Sequence, residues 1–277
     1  MAEADRVPAG IDPNVPSVAR MYDYYLGGRD NFPADRAAAE KMIELGLSMG
    51  ADARQLALGN RLFLSRAVRM LAEAGVRQFV DIGAGLPTQD NVHQVARRHI
   101  AGSRVVYVDS DPSVVTHARA LLDGDANADG EVIAVEGDLR DPEAILGDPR
   151  VTGHLDLAQP FAVLMLAVLH FIPDDAEAAA IVARVRGRLG PGSFLVLSHL
   201  YTGDATEEAS REGSQIYSGT AAGGLAGRDL AGITAFFDGL ELLGPGLVPV
   251  GDWTAGGLPG DAYDLVGSGI LGGVGRR

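Results

Sequence analysis

Gln78-Phe79-Val80-Asp81-Ile82-Gly83-Ala84-Gly85-Leu86-Pro87-Thr88 is the stretch whose reading decides the fold. An apolar run reaches Asp81, and two glycines spaced by one residue then open a tight turn. A backbone that bends this sharply beside a ligand needs residues without a Cβ. In open α/β sheets the ligand lies at the carboxyl ends of the strands, where this turn would sit. A dinucleotide fingerprint requires a third glycine three residues after the second. Position 88 is Thr88, preceded by Pro87, so a nicotinamide site is poorly supported. An acid two residues before the first glycine would repel a pyrophosphate. It suits a ligand bearing an ammonium group or a sugar.

Downstream of residue 76, short apolar runs alternate with helical stretches. Gln78–Ile82, Arg104–Val108, Val132–Glu136, Phe161–Leu166 and Phe194–Leu197 read as strands, and helices fit at 89–100, 112–122, 142–147 and 174–189. This alternation predicts a parallel sheet with helices on both faces. A Gly-rich flexible loop at 219–227 and a helix near 228–238 follow. Two further strand-like runs, about 240–250 and 262–271, are expected to form an antiparallel hairpin at the sheet's end, giving seven strands.

Upstream, residues 1–16 hold three prolines and read as an irregular arm. Ser17 can cap a helix with Val18, Met21, Tyr22, Tyr25 and Leu26 on one stripe, ended by Gly27-Gly28. Pro33 suits the first turn of a second helix carrying Met42, Ile43 and Leu45. A third helix covers about 52–74, with Leu56, Phe63, Leu64, Ala67, Val68 and Leu71 on one face, and Gly75 stops it. The expected organisation is an N-terminal arm and helical lid over 1–75 and one α/β domain over 76–277.

Composition narrows the function. The chain has 277 residues, 47% of them hydrophobic, enough for a full core. It has no cysteine, so disulfide and thiolate chemistry are excluded. Its net charge of −14, from 37 acids against 23 bases, opposes nucleic acid and anionic membrane surfaces. Arg97-Arg98 and the Arg184, Arg186, Arg188 series lack interleaved aromatics and read as solvated helix faces. The first residues lack an apolar signal segment, and no apolar run reaches membrane-spanning length. A cytoplasmic protein is the default expectation.

Four more signals bear on chemistry. Asp109 ends the second strand, and an acid there accepts two hydrogen bonds from a ribose diol; Asp111, before Pro112, suits a helix cap. Asp138, just past the third strand in Glu136-Gly137-Asp138-Leu139, can accept from an adenine amino group, although read alone it is a surface turn. His170 and His199 both follow apolar strands and are candidate general bases, each with a purely structural role as the alternative. Residues 125–136 match an EF-hand calcium loop literally, but the expected strand at Val132–Glu136 makes an acidic turn the better account. No His/Asp/Glu spacing makes a convincing zinc site. Ser198-His199 lacks the glycines of a nucleophile elbow, since Val196 and Leu200 occupy those places. No Asn/Asp-Pro-Pro-Tyr/Phe signature of amino-group methylation occurs.

Together these segments resemble the class I S-adenosylmethionine-dependent methyltransferases. The similarity is closer to an actinobacterial group, once a domain of unknown function and later named S-adenosyl methyltransferase. It is visible in Ala19-Arg20-Met21-Tyr22-Asp23-Tyr24-Tyr25-Leu26-Gly27-Gly28-Arg29-Asp30-Asn31-Phe32, in Asn60-Arg61-Leu62-Phe63 and in Gln78–Thr88. The resemblance spans roughly residues 17–270. It implies a Rossmann-like sheet with an N-terminal helical extension, and S-adenosyl-L-methionine as cofactor. It places Gly83, Ala84 and Gly85 along the methionine part, and Asp81 toward the amino group. It puts Asp109 on the ribose hydroxyls with Ser110 beside them, Asp138 and Leu139 around the adenine, and Met165 under the sulfonium. Tyr22 and Gly28 would belong to a lid over the cofactor. The expected activity is methyl transfer to a small-molecule acceptor, with no nucleic-acid or membrane partner. A protein that binds the cofactor without turnover is the alternative.

Overall fold

A computed structural model describes residues 11–87, 90–122, 131–260, 263, 265 and 267–277. Five runs rich in Val, Ile and Leu form parallel strands: β1 (Gln78–Ile82), β2 (Arg104–Asp109), β3 (Val132–Glu136), β4 (Ala162–Leu166) and β5 (Phe194–Tyr201). β1 and β4 are buried almost throughout, as central parallel strands covered on both faces must be. Helices precede and separate the strands: α1 (Val18–Tyr25), α2 (Pro33–Ser48), α3 (Ala53–Glu73), α4 (Val92–His99), α5 (Pro112–Leu122), α6 (Pro142–Gly147), α7 (Pro149–His154), α8 (Asp175–Arg188), α9 (Glu207–Ser218) and α10 (Leu230–Ala235).

The sheet runs β3-β2-β1-β4-β5-β8-β6, with β6 (Glu241–Leu242), β7 (Val248–Pro249) and β8 (Gly269–Arg276) added antiparallel. The chain builds outward from β1 to β3 and then returns to lay β4 on the other side of β1. That reversal opens a crevice at the carboxyl ends of β1 and β4. The α/β architecture follows the expectation, with eight strands instead of seven. Gly244, Pro245 and Gly246 interrupt the anticipated 240–250 strand and leave two short pieces, both paired to β8.

Strand alternation divides the core. On one face Val80, Ile82, Val163, Met165, Leu195 and Leu197 pack with Leu146, Val151, Ile181, Val185 and Ile233 of α6, α7, α8 and α10. On the other, Phe79, Val105, Leu164 and Val196 meet Phe63, Leu64, Val68 and Leu71 of α3, Val95 of α4 and Trp253. α3 is therefore part of the sheet's own core. α1, α2 and α9 form a third cluster around Met21, Tyr25, Ile43 and Tyr217.

The start of that cluster is tied by a buried ion pair, Arg20 Nε to Asp35 Oδ2 at 2.7 Å. Asp35 also accepts from the Ser17 and Phe32 amides at 2.8 and 2.7 Å. A buried carboxylate is tolerated only when so fully bonded. Among the described residues no helix is long and apolar enough to cross a membrane.

Candidate functional site

A cavity of about 480 Å³ lies over the carboxyl ends of β1 to β4. α1, the segment before it and the pair Ala221-Ala222 also border it. Its floor begins at the glycine turn. The amides of Gly83 and Ala84 both donate to the Val108 carbonyl, at 2.8 and 3.1 Å, pinning the turn to the end of β2. Gly83 has φ +74°, and a Cβ there would stand 2.4 Å from Val168 Cγ2, so conformation and space both demand glycine. Gly85 has φ +65° with open space around it, so only conformation demands it.

Asp109 joins the first turn to the second. Its carboxylate accepts from the Gly85 and Asp111 amides, both at 2.9 Å. Each carboxylate oxygen has two lone pairs, so acceptor capacity toward the cavity remains. Burial raises its pKa. Asp111 accepts from Ser113 N at 2.9 Å and so caps α5, and it accepts from Ser17 Oγ at 3.2 Å, which fastens α1 to this loop. Asp138 is exposed, accepts from Arg140 N at 2.9 Å and borders the cavity with Leu139.

Asp81 is only 5% exposed and borders the same cavity. Burial pushes its pKa up to about 7; the positive charge of Arg61 opposes the rise and the negative charge of Asp109 adds to it. A buried carboxylate poised this way favours a cationic neighbour.

Of the residues expected at the cofactor, Tyr22, Asp81, Gly83, Ala84, Gly85, Asp109, Ser110, Asp138 and Leu139 all border the cavity. Met165 does not. It is fully buried with Val163 and Leu197 beneath α8, because side chains alternate along β4, and Leu166 and Ala167 border the cavity instead. Gly28 also stands outside the lining. A Cβ there would fall 1.9 Å from Asp23 Oδ1, so this glycine lets the chain pass over Asp23. The Asp23 carboxylate then accepts from Asp30 N at 2.9 Å and Asn31 Nδ2 at 2.8 Å.

The two histidines expected as bases are likewise absent from the lining. His199 lies on the Leu195/Leu197 side of β5. Its Nδ1 donates to the Leu200 carbonyl at 2.8 Å, and its Nε2 accepts from Arg228 at 2.7 Å. Burial lowers its pKa to about 3. His170 Nδ1 accepts from Leu200 N at 3.3 Å, and burial also holds that ring well below its usual pKa. Arg228 further binds the Ile172 carbonyl at 2.9 Å and Asp175 at 3.0 Å. These three side chains fasten the segment after α9 to the sheet; they do not face the cavity.

Sequence reasoning passed over a hydrogen-bonded chain beside the cavity. Ala167, a non-glycine residue at φ +51°, donates its amide to Ser198 Oγ at 2.9 Å. Ser198 Oγ donates to Asn60 Oδ1 at 2.7 Å, Asn60 Nδ2 donates to Tyr22 Oη at 3.0 Å, and Tyr22 donates to the Ala57 carbonyl at 3.2 Å. α1, α3, β5 and the strained end of β4 are thereby held in one arrangement. A signal existed: Asn60 occupies a position of the stripe Leu56, Phe63, Leu64, Ala67 where an apolar residue belongs.

A second cavity of about 310 Å³ adjoins the first behind the glycine turn, sharing Arg61, Asp81, Ala84, Gly85 and Asp109. Thr88 and residues 125–130 of the calcium-like pattern lie outside the described residues, whereas Val132–Glu136 is strand β3 as expected.

A parallel sheet with this switch point, a glycine turn after β1, an acid after β2 bonded to that turn and an acid after β3 define the Rossmann-like fold of class I methyltransferases. The chain belongs to the S-adenosyl methyltransferase family, whose profile it matches over residues 4–277. It is similar to a Thermobifida fusca protein assigned provisionally as a methyltransferase, with 34% identity, 99% of each chain covered and a TM-score of 0.84. It is also similar to a DUF574 family protein from Streptomyces avermitilis, with 36% identity, 96% of this chain and 99% of that one covered, and a TM-score of 0.82. No curated protein matches it. S-adenosyl-L-methionine is the cofactor to which the family points.

Proposed function

We propose that this chain methylates a small-molecule acceptor, with S-adenosyl-L-methionine held across the carboxyl ends of β1, β2 and β3. The carrying observation is the join between the two turns: Asp109 bonded to the Gly85 amide, with buried Asp81 on the same cavity. The residues fit the cofactor. Asp81 offers a buried carboxylate to an ammonium group, Asp109 keeps acceptor capacity for a ribose diol, and Asp138 and Leu139 border the third-strand end where an adenine would lie. Bound there, the cofactor supplies an electrophilic methyl group on a sulfonium.

The chain's own contribution is alignment and exclusion of water. Alignment alone can lower a barrier by about 7–11 kcal/mol. Leu64, Leu166, Val168, Phe171 and Ile172 give the cavity an apolar wall beside the β4 end, which suits a largely apolar acceptor. Among the described residues no histidine lines it. The net charge of −14 favours neutral or cationic acceptors over nucleic acid or anionic membranes. The lid role of the N-terminal segment is supported for α1, whose Val18, Tyr22 and Asp23 border the cavity.

Calorimetry with S-adenosylhomocysteine, followed by measurement of its formation from S-adenosyl-L-methionine over a panel of small acceptors, tests the proposal. Binding that Asp109→Ala weakens at least about tenfold, together with turnover on one acceptor class, is expected. Absence of binding overturns the proposal. Binding without turnover across the panel favours the cofactor-binding protein instead.

A further inference from the structure

An α-amino acid bears its ammonium and carboxylate on one carbon. A site that reads the first with Asp81 therefore meets the second a few ångströms away. Among the described residues three cations line the main cavity: Arg20, Arg61 and Arg140. Arg20 is committed to Asp35 at 2.7 Å and to the Val15 carbonyl at 2.6 Å, its side chain only 8% exposed. Arg140 stands at the other end of the cavity beside Asp138, paired to Glu177 at 3.2 Å. Arg61, projecting from α3, borders both cavities, as Asp81 does. Its charge reaches Asp81 strongly enough to oppose the effect of burial there. Hydrogen bonds to the Asp90 carbonyl at 3.2 Å and to Asn91 Oδ1 at 3.5 Å orient its guanidinium at the start of α4.

We propose that Arg61 grips the carboxylate at the amino-acid end of the cofactor, so that Asp81 and Arg61 together read a zwitterion. This rests on the cofactor placement above and deepens it, by bringing a residue of the N-terminal helical segment into the binding site. A planar guanidinium matches a carboxylate through two parallel N–H donors, which lysine cannot reproduce. The grip also sets ligand class. Adenine nucleosides that carry an intact amino-acid end engage Arg61, and truncated ones such as 5′-methylthioadenosine do not.

Calorimetry on the full chain with three probes tests this: S-adenosylhomocysteine, its α-carboxamide and 5′-methylthioadenosine. On the wild type the carboxamide should bind about 10–100-fold more weakly than the acid, the range of a charge-assisted hydrogen bond. In Arg61→Gln the acid should weaken by a similar factor. The gap between acid and carboxamide should close to under about threefold, and 5′-methylthioadenosine should be unaffected. Arg61→Lys should keep only part of the gap. An equal carboxamide penalty in wild type and Arg61→Gln overturns the assignment, and so does an absent penalty in the wild type. Should Arg61→Gln fail to fold, the wild-type penalty and Arg61→Lys decide. A wild type that binds none of the three probes overturns the cofactor placement itself. Binding of all three without coupling to Arg61 overturns only the carboxylate grip and leaves that placement standing.

Discussion

At the residue scale the site turns on Asp81, whose carboxyl titrates near 7 because it is buried. Its pKa is raised above the unfolded value, so between about 4 and 7 the folded state binds the extra proton. Its contribution to stability is therefore full below the unfolded pKa and is lost as pH rises through about 7. A bound ammonium favours the ionised form, so affinity for S-adenosylhomocysteine should strengthen as pH rises from 5.5 to 7.5, by at most about tenfold per unit. Calorimetry should find Asp81→Asn weaker throughout and nearly flat with pH. An equal slope in the two proteins would refute the role of this carboxylate in holding the ammonium. The glycines of the same turn separate in kind. Gly85→Ala meets open space and should cost about 1–2 kcal/mol for its left-handed backbone alone. Gly83→Ala adds the clash with Val168 and should cost clearly more in urea denaturation. The place of Asp81, Gly83 and Asp109 on the cavity was legible because strand-end acids and Cβ-free turns are local features. Met165 was misplaced by one residue, which in a strand exchanges the two faces. His170 and His199 follow apolar strands, but nothing local told which way their rings face. Arg228, the partner that claims His199, lies far along the chain.

At the scale of elements, β8 is the strand least visible in the sequence. Four of its eight residues are glycine, Gly269, Gly272, Gly273 and Gly275, which depresses any strand propensity. Packing supplies the reason. A Cβ on Gly272 would come 2.8 Å from Phe63 of α3, and one on Gly275 2.9 Å from Leu240. Phe63 is fully buried against Trp253, with ring centroids 5.1 Å apart, and has nowhere to retreat. Gly272→Ala should therefore destabilise by about 1–3 kcal/mol through overpacking. A stabilised variant in chemical denaturation would contradict that account. α9 was missed for the opposite reason. Its stretch Glu207–Ser218 is polar on most sides, and its start signals, Thr206 accepting from Ala209 N at 3.2 Å and the acids Glu207 and Glu208 in the first turn, are short-range. The chain from Ala167 through Ser198 and Asn60 to Tyr22 also acts between elements. Asn60→Ala removes one partner from each of the Ser198 and Tyr22 hydroxyls, which keep the Ala167 amide and the Ala57 carbonyl, and should cost about 1–3 kcal/mol. Limited proteolysis should then cut near α1 before the sheet unfolds. Cleavage no faster than in the wild type would show that α1 does not depend on this chain.

At the scale of the whole molecule, part of the net charge of −14 lies where it acts on a ligand. Among the described residues the main cavity is bordered by Asp12, Asp23, Asp81, Asp109, Asp111 and Asp138 against Arg20, Arg61 and Arg140. Low-dielectric walls focus such a field into the cleft. S-adenosyl-L-methionine carries a sulfonium, an ammonium and a carboxylate and is a net cation, whereas its demethylated product is a neutral zwitterion. The two differ by one methyl group and the positive charge it puts on the sulfur, so the cavity's potential favours the cation even without a further contact. The cationic form should bind more tightly at low ionic strength, which favours exchange of product for fresh cofactor after each transfer. Screening shortens the reach of these carboxylates from about 30 Å at 0.01 M salt to roughly 3 Å at 1 M. The ratio of the two affinities, measured by calorimetry at the same pH, should therefore shrink as salt is raised between those limits. A ratio independent of salt would mean that discrimination comes from contacts at the sulfur and not from the acidic cavity.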